Sequence, residues 1–198
     1  MSRGAALALA AVVLLAGVLG ASRFMAALDR DPLPELYTLG GDFALPSTNG
    51  GDFGSADTRG RLVLLNFGFT ACPDVCPTAL SRMAAVRDGS ALGPAELQLV
   101  FVTLDPARDT PGLLRDYLGY FGDDLVGLAG SEDAVREVAD LYQVYYHKDD
   151  LGEGDYSLTH SSHIYLLDRR GRTRATFNAS ATVPAMVAAV TALHREES

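Results

Sequence analysis

The chain has 198 residues, about one domain's length, and its 48% hydrophobic and 21% charged residues exclude wholesale disorder and low-complexity or collagen-like structure. With 16 Lys and Arg against 25 Asp and Glu the formal net charge is −9, and Lys148 is the one lysine among those cations. So acidic a chain carries no electrostatic footprint for DNA or RNA, and no nucleic-acid partner is expected.

The first feature in chain order is an apolar run. The 19 residues Gly4–Ser22 are uncharged and lie between Arg3 and Arg23. Roughly 20 apolar residues cross a bilayer core, so residues 1–23 read as an N-terminal membrane anchor, with a cleaved signal segment as the rival. No cysteine follows the run, which excludes lipoprotein anchoring. Both readings export the remainder. The expected location is the bacterial inner (cytoplasmic) membrane, with a single span and the domain on the periplasmic side. Without Arg3 and Arg23 the exported part carries −11. Residues 24–36 mix Pro, polar and apolar residues without period and read as a tether, leaving 37–198 as the folded domain.

Within that domain Phe43–Leu45 and Phe53 stand in a Gly- and Asp-rich stretch and suggest a short hairpin. Leu62–Phe69 and Leu97–Leu104 are nearly unbroken apolar runs of strand length, as in parallel strands buried on both faces. Between them a helix follows Pro77, with Leu80, Met83, Ala84 and the stem of Arg87 on one face and Gly89 as its stop. Thr110-Pro111 reads as an N-cap followed by proline at the first helical position, and Leu113, Leu114, Tyr117, Leu118 and Phe121 give that helix its stripe. Leu125–Leu128 is a third strand, and Ser131 caps a helix that buries Val135, Val138, Ala139 and Tyr142. His147–Thr159 reads as a polar loop, with mobility expected over Asp149–Tyr156. Ile164–Leu167 and Arg174–Phe177 form a hairpin, and Thr182 opens a last helix with Val183, Met186, Val187 and Val190 on its apolar face. This order makes a three-layer α/β domain.

The two cysteines, Cys72 and Cys76, fall in the loop between the first buried strand and the first helix, where a rigid scaffold can present reactive groups. A disulfide across so short a loop stabilises little, so a redox or metal role is the better reading. Pro77 places Cys76 at or next to the N-cap, where free amides and the helix dipole stabilise a thiolate. Of four histidines, His147 and His194 read as surface residues. His160 and His163 flank two serines before a strand, and spacing alone does not choose between them. Two thiolates with one imidazole suit Cu(I) or Cu(II), and zinc accepts the same set. Asp105 and Asp109 bracket a turn and read as local caps. Asp74 adds charge beside the thiols.

Three segments, LNFGFTACPDVCPT, FVTLDPARDTP and DYSLTHSSHIYLLDRRG, resemble in order three motifs of the Sco/SenC family, thioredoxin-fold copper-binding proteins that assist cytochrome c oxidase assembly. The resemblance runs from about Phe43 to Leu193. It implies a thioredoxin-like domain with a central mixed sheet, copper (Cu(I)/Cu(II)) as the metal, and Cys72, Cys76 and His160 as its ligands. The two cysteines would also form a redox disulfide. It also implies the copper-binding subunit of cytochrome c oxidase as partner, and metallochaperone rather than enzyme as function. The alternative is an exported thiol–disulfide reductase that keeps the subunit's cysteines reduced. A peroxidase of the peroxiredoxin type would need Thr and Arg partners for its attacking thiol, and none can be assigned. Two positions depart from the family: Ala71 stands where histidine is frequent, and Thr159 replaces an aspartate that could orient the ligand imidazole. His160 and His163 are three apart and so face opposite ways in extended chain, which keeps both from one metal.

Overall fold

Every residue of Leu62–Gly68 (β3) and Leu97–Thr103 (β4) is buried, and the two lie side by side in parallel, from Leu62 opposite Leu97 to Gly68 opposite Thr103. The computed structural model describes residues 33–36 and 38–198. The expected anchor over residues 1–23 and most of the tether lie outside them. Among the described residues no helix is long and apolar enough to cross a membrane.

Before β3, the short strands Ala44–Pro46 (β1) and Asp52–Gly54 (β2) pair as the expected hairpin. The central sheet is completed by Leu125–Leu128 (β5), parallel to β4, and by Ile164–Leu167 (β8) and Thr173–Phe177 (β9), each antiparallel to its neighbour. Its order is β5-β4-β3-β8-β9, a mixed sheet. Side chains alternate across it. Leu62, Leu64, Leu99 and Phe101 pack on helices Val75–Ser90 (α1), Pro111–Gly119 (α2) and Val183–Glu196 (α4). Val63, Leu65, Phe67, Val100 and Val102 face Glu132–Leu141 (α3) and the β1–β2 hairpin. Thr110, Ser131 and Thr182 cap α2, α3 and α4 through their hydroxyls, as the sequence predicts.

Four expectations need correction. α1 begins at Val75, so Cys76 lies inside its first turn. Proline is tolerated there because the carbonyl four residues back precedes the helix. The same helix passes Gly89 and ends with Ala91 in the left-handed region. Gly89 instead lets α4 approach, since a Cβ there would meet Val187 at 3.0 Å. Leu113 is exposed, because Leu114, Tyr117, Leu118 and Phe121 already define the stripe and Leu113 lies one position off it. The polar segment after Tyr146 is a second ribbon, Tyr146–Gly152 (β6) paired antiparallel with Asp155–His160 (β7). Gly152, Glu153 and Gly154 all adopt positive φ at its turn, which two glycines make inexpensive. Residues 33–36 lie against β9: Leu36 N–H donates to the Thr173 carbonyl, and Arg174 donates to the Leu33 carbonyl.

Candidate metal centre

The cysteine loop leaves the sheet at Gly68. A Cβ at that position would stand 2.6 Å from Cys76 Sγ, so only glycine lets α1 seat this thiol against the strand end. Two residues on, the Thr70 N–H and hydroxyl both donate to Asp109, at 3.0 and 2.5 Å. The Thr103 hydroxyl donates to the same carboxylate at 2.5 Å. Asp109 is buried, and its three donors offset the cost of burying a charge. Its role is therefore wider than the local cap read from sequence. It ties the cysteine loop to the turn after β4. Asp105, fully buried, likewise reaches beyond its own turn, to Tyr156 on β7.

Cys72 and Cys76 are both free thiols and both buried, within an apolar cluster that includes Phe69 and Leu158. His160 ends β7, and its ring stands edge-on to Phe69 with centroids 5.7 Å apart. The Ser161 carbonyl accepts from His160 Nδ1 at 2.9 Å. A carbonyl can only accept, so the ring proton is on Nδ1 and the lone pair on Nε2. That Nε2 lies 3.4 Å from Cys76 Sγ. One ligand atom from each of Cys72, Cys76 and His160 falls within 4.8 Å of the others.

Burial sets the protonation states. It pushes the Cys76 thiol well above its ordinary range, with Cys72 and the charge of Asp109 adding to the effect and a Phe69 backbone hydrogen bond opposing it. The thiolate expected from the helix N-terminus is thus not favoured. Burial also lowers the His160 pKa below its ordinary value, the Ser161 carbonyl acting partly against it. Without a cation, burial thus favours the neutral forms of Cys76 and His160, a thiol beside an imidazole lone pair. A soft cation would supply the charge that two thiolates need, and the donor set of two sulfurs and one nitrogen fits copper and also zinc. A cleft of about 510 Å³ opens onto the group, lined by Phe69, Cys72, Pro73, Arg108, Tyr156 and His160 among others.

The other singled-out residues fall elsewhere. His163 packs beside Tyr165, centroids 6.3 Å apart, and its carbonyl accepts from Asn66. It is not in the group. His147 is exposed, as expected. His194, read as a surface residue, is half-buried: Arg169 lies 3.1 Å from its Nδ1, and Glu96 lies 3.7 Å from its Nε2. The Thr159 hydroxyl donates to Asp149 across the ribbon at 2.7 Å, and Asp74 is exposed. Sequence reasoning assigned no role to Gly68, Ser161 or Tyr156. For Gly68 there was a usable signal, a lone glycine inside an apolar strand run.

Comparison with known proteins agrees with this geometry. The sequence model described as SCO1/SenC matches residues 32–195. The SCO2-like protein RC0895 of Rickettsia conorii is 42% identical over 137 residues, which are 68% of this chain and 66% of that protein, so this chain spans about two thirds of its length. Among solved structures, Arabidopsis thaliana ScoI with copper bound is 31% identical with a TM-score of 0.74, over 80% of this chain and 99% of the other. Bradyrhizobium japonicum ScoI with copper bound is 35% identical with a TM-score of 0.72, over 78% and 99%.

Proposed function

The chain belongs to the SCO1/SenC family, and from that premise we propose that it is a copper metallochaperone. Its domain binds copper through Cys72, Cys76 and His160 and delivers it to the dinuclear copper site of cytochrome c oxidase during assembly of that enzyme. The observation that carries this reading is the convergence of two thiols and one imidazole lone pair within 4.8 Å. Relatives solved with copper bound, at 31% and 35% identity, support it. Delivery needs stepwise ligand replacement, and the open cleft beside the centre leaves room for a recipient's ligands. The receiving partner is the copper-binding subunit of the oxidase. Residues 1–23 anchor the chain in the bacterial inner membrane and hold the domain on the periplasmic side. An intact mass of the native protein beginning near Ala21 or Ser22 would replace the anchor by a cleaved leader.

Copper titration of wild type and of the Cys72→Ser, Cys76→Ser and His160→Ala variants, in reductant, tests the ligand set. Near-stoichiometric binding by wild type and loss in the variants is the expected result. A wild type that takes up no copper sinks the proposal. A second reading, thiol–disulfide reductase, draws on the proximity of the two free thiols. The raised pKa of Cys76 disfavours that thiol as the attacking one, and Cys72 is the cysteine that lines the cleft. Retained oxidase assembly in cells carrying His160→Ala would favour the reductase.

A further inference from the structure

His160 is carried by a ribbon outside the main sheet. β6 and β7 pair only with each other, so the position of the imidazole depends on what pins this ribbon to the body. One tie is Lys148 to Glu132 at 2.6 Å, an exposed pair of the kind that contributes little. At the ribbon's base, Ser161 N–H donates to the Tyr145 carbonyl, and Arg136 lies over the Tyr146 ring, 4.8 Å from its centroid.

The remaining tie is of another kind. The Tyr156 hydroxyl donates to Asp105 at 2.5 Å, and Asp105 is fully buried. Arg108 donates through Nε to the other oxygen of Asp105, at 2.5 Å, and through Nη1 to the Tyr156 carbonyl, at 2.8 Å. Its guanidinium also lies over the Tyr156 ring, 3.8 Å from the centroid. One tyrosine is thus held by its edge, its face and its backbone from a single turn.

Tyr156, Leu158 and His160 alternate along β7 and therefore share a face. Leu158 is buried beside Phe69 and both cysteines, so the held end, the packed middle and the imidazole form one lever. The turn that grips Tyr156 through Asp105 also holds the cysteine loop through Asp109 and Thr70. We propose that the Asp105–Arg108–Tyr156 latch is the positioning device of the metal centre, setting the distance of His160 from the cysteines and so governing how readily copper leaves. Tyr156 is then a positioning residue that acts through His160. This inference rests on the ligand set proposed above.

Tyr156→Phe removes one hydroxyl and keeps the ring on which Arg108 and Leu158 pack. Its expected effect is a loss of Cu(II) affinity of about fivefold, the worth of one net hydrogen bond, with faster release to a chelator and faster amide exchange across β6 and β7. In a His160→Ala background the same substitution should leave copper affinity and release unchanged, which a general loss of stability would not do. Unchanged affinity and release in the single variant would overturn the latch, as would an equal effect with and without His160. If wild type binds no copper, the functional reading falls. Amide exchange then judges the latch alone: unchanged β6–β7 exchange in Tyr156→Phe overturns it.

Discussion

Two regions bring the three candidate donors to one point, and they are built in opposite ways. Cys72 stands on the loop between β3 and α1 and Cys76 in the first turn of α1, where every strand residue is buried and the helix packs on the sheet through Ala79, Leu80, Met83 and Val86. The histidine stands on β7, of whose residues Leu158 alone is buried, in a ribbon whose tip exposes Leu151. The contrast implies a division of labour. A fixed pair of thiols would keep the proposed soft-metal site preformed, whereas the third candidate donor sits on an element that a few side-chain contacts hold in place. Opening free energies in a folded protein range from near zero at weakly packed edges to the global value in the core, so β6–β7 is the part that can move without unfolding the rest.

The sharpest way to break this contrast is at the thiols themselves. Cys72→Ser or Cys76→Ser should lower Cu(I) affinity by more than the roughly 10- to 100-fold that loss of a ligand's supporting partner costs. His160→Ala should cost less toward Cu(I), because two thiolates remain for the softer ion. Competition with a Cu(I) chelator checks the order, and a larger loss from His160→Ala would reverse the roles of the two regions. Stability should show the same division without any metal. Leu99, on β4, is fully buried, and Leu99→Ala should destabilise by about 2–5 kcal/mol. Leu151→Ala on the ribbon should fall within about 0.5 kcal/mol of wild type in denaturant titration.

Gly68 sharpens the comparison from inside the scaffold. An alanine Cβ there meets Cys76 Sγ at 2.6 Å and the Phe101 ring at 3.1 Å, so helix, thiol or ring must shift. Gly68→Ala should cost about 1–3 kcal/mol, the range for overpacking a core, and should also weaken copper binding. Full affinity in that variant would show that the thiol is less rigidly seated than the geometry implies.

The same contrast governs what the sequence could reveal. β3 and β4 were legible because a strand buried on both faces must be apolar throughout, and three helix starts were legible because their caps act locally. β6 was not, because Lys148, Asp150 and Leu151 are all exposed and leave no apolar alternation to read, whereas β7 carries one, Tyr156, Leu158 and His160 against Asp155, Ser157 and Thr159, that the charged residues around it concealed. Asp105 and Asp109 were misread for a related reason: acidic residues around a turn have the composition of local caps, and only tertiary structure shows them buried on partners 39 and 51 residues away. The cysteine pair was plain as a candidate. The choice of His160 over His163 came from the family motif, since spacing left it open, and the Ser161 carbonyl that orients the ring is a backbone group that no residue pattern announces.

Apo-protein stability also depends on pH, with opposite signs at the two ends. Burial lowers the His160 pKa, so the unfolded chain binds more protons than the folded one between the folded value and the ordinary value near 6.5. The contribution of the neutral imidazole is complete above that ordinary value and is lost as pH falls through the lowered one. Cys76 behaves in the reverse sense. Its pKa is raised, so the folded thiol keeps its proton where the unfolded thiol has released it, and stability declines as pH rises above the ordinary thiol range. Denaturant midpoints of the reduced protein across mildly acidic pH should therefore fall toward acid, and His160→Ala should flatten part of that slope. Cys76→Ser should flatten the alkaline one. Because binding a metal through Cys76 requires that buried thiol to release its proton, copper affinity should rise with pH over the alkaline range where the apo-protein weakens. A copper affinity that falls there would mean that the sulfurs bind without deprotonation, and the charge argument for the centre would fail.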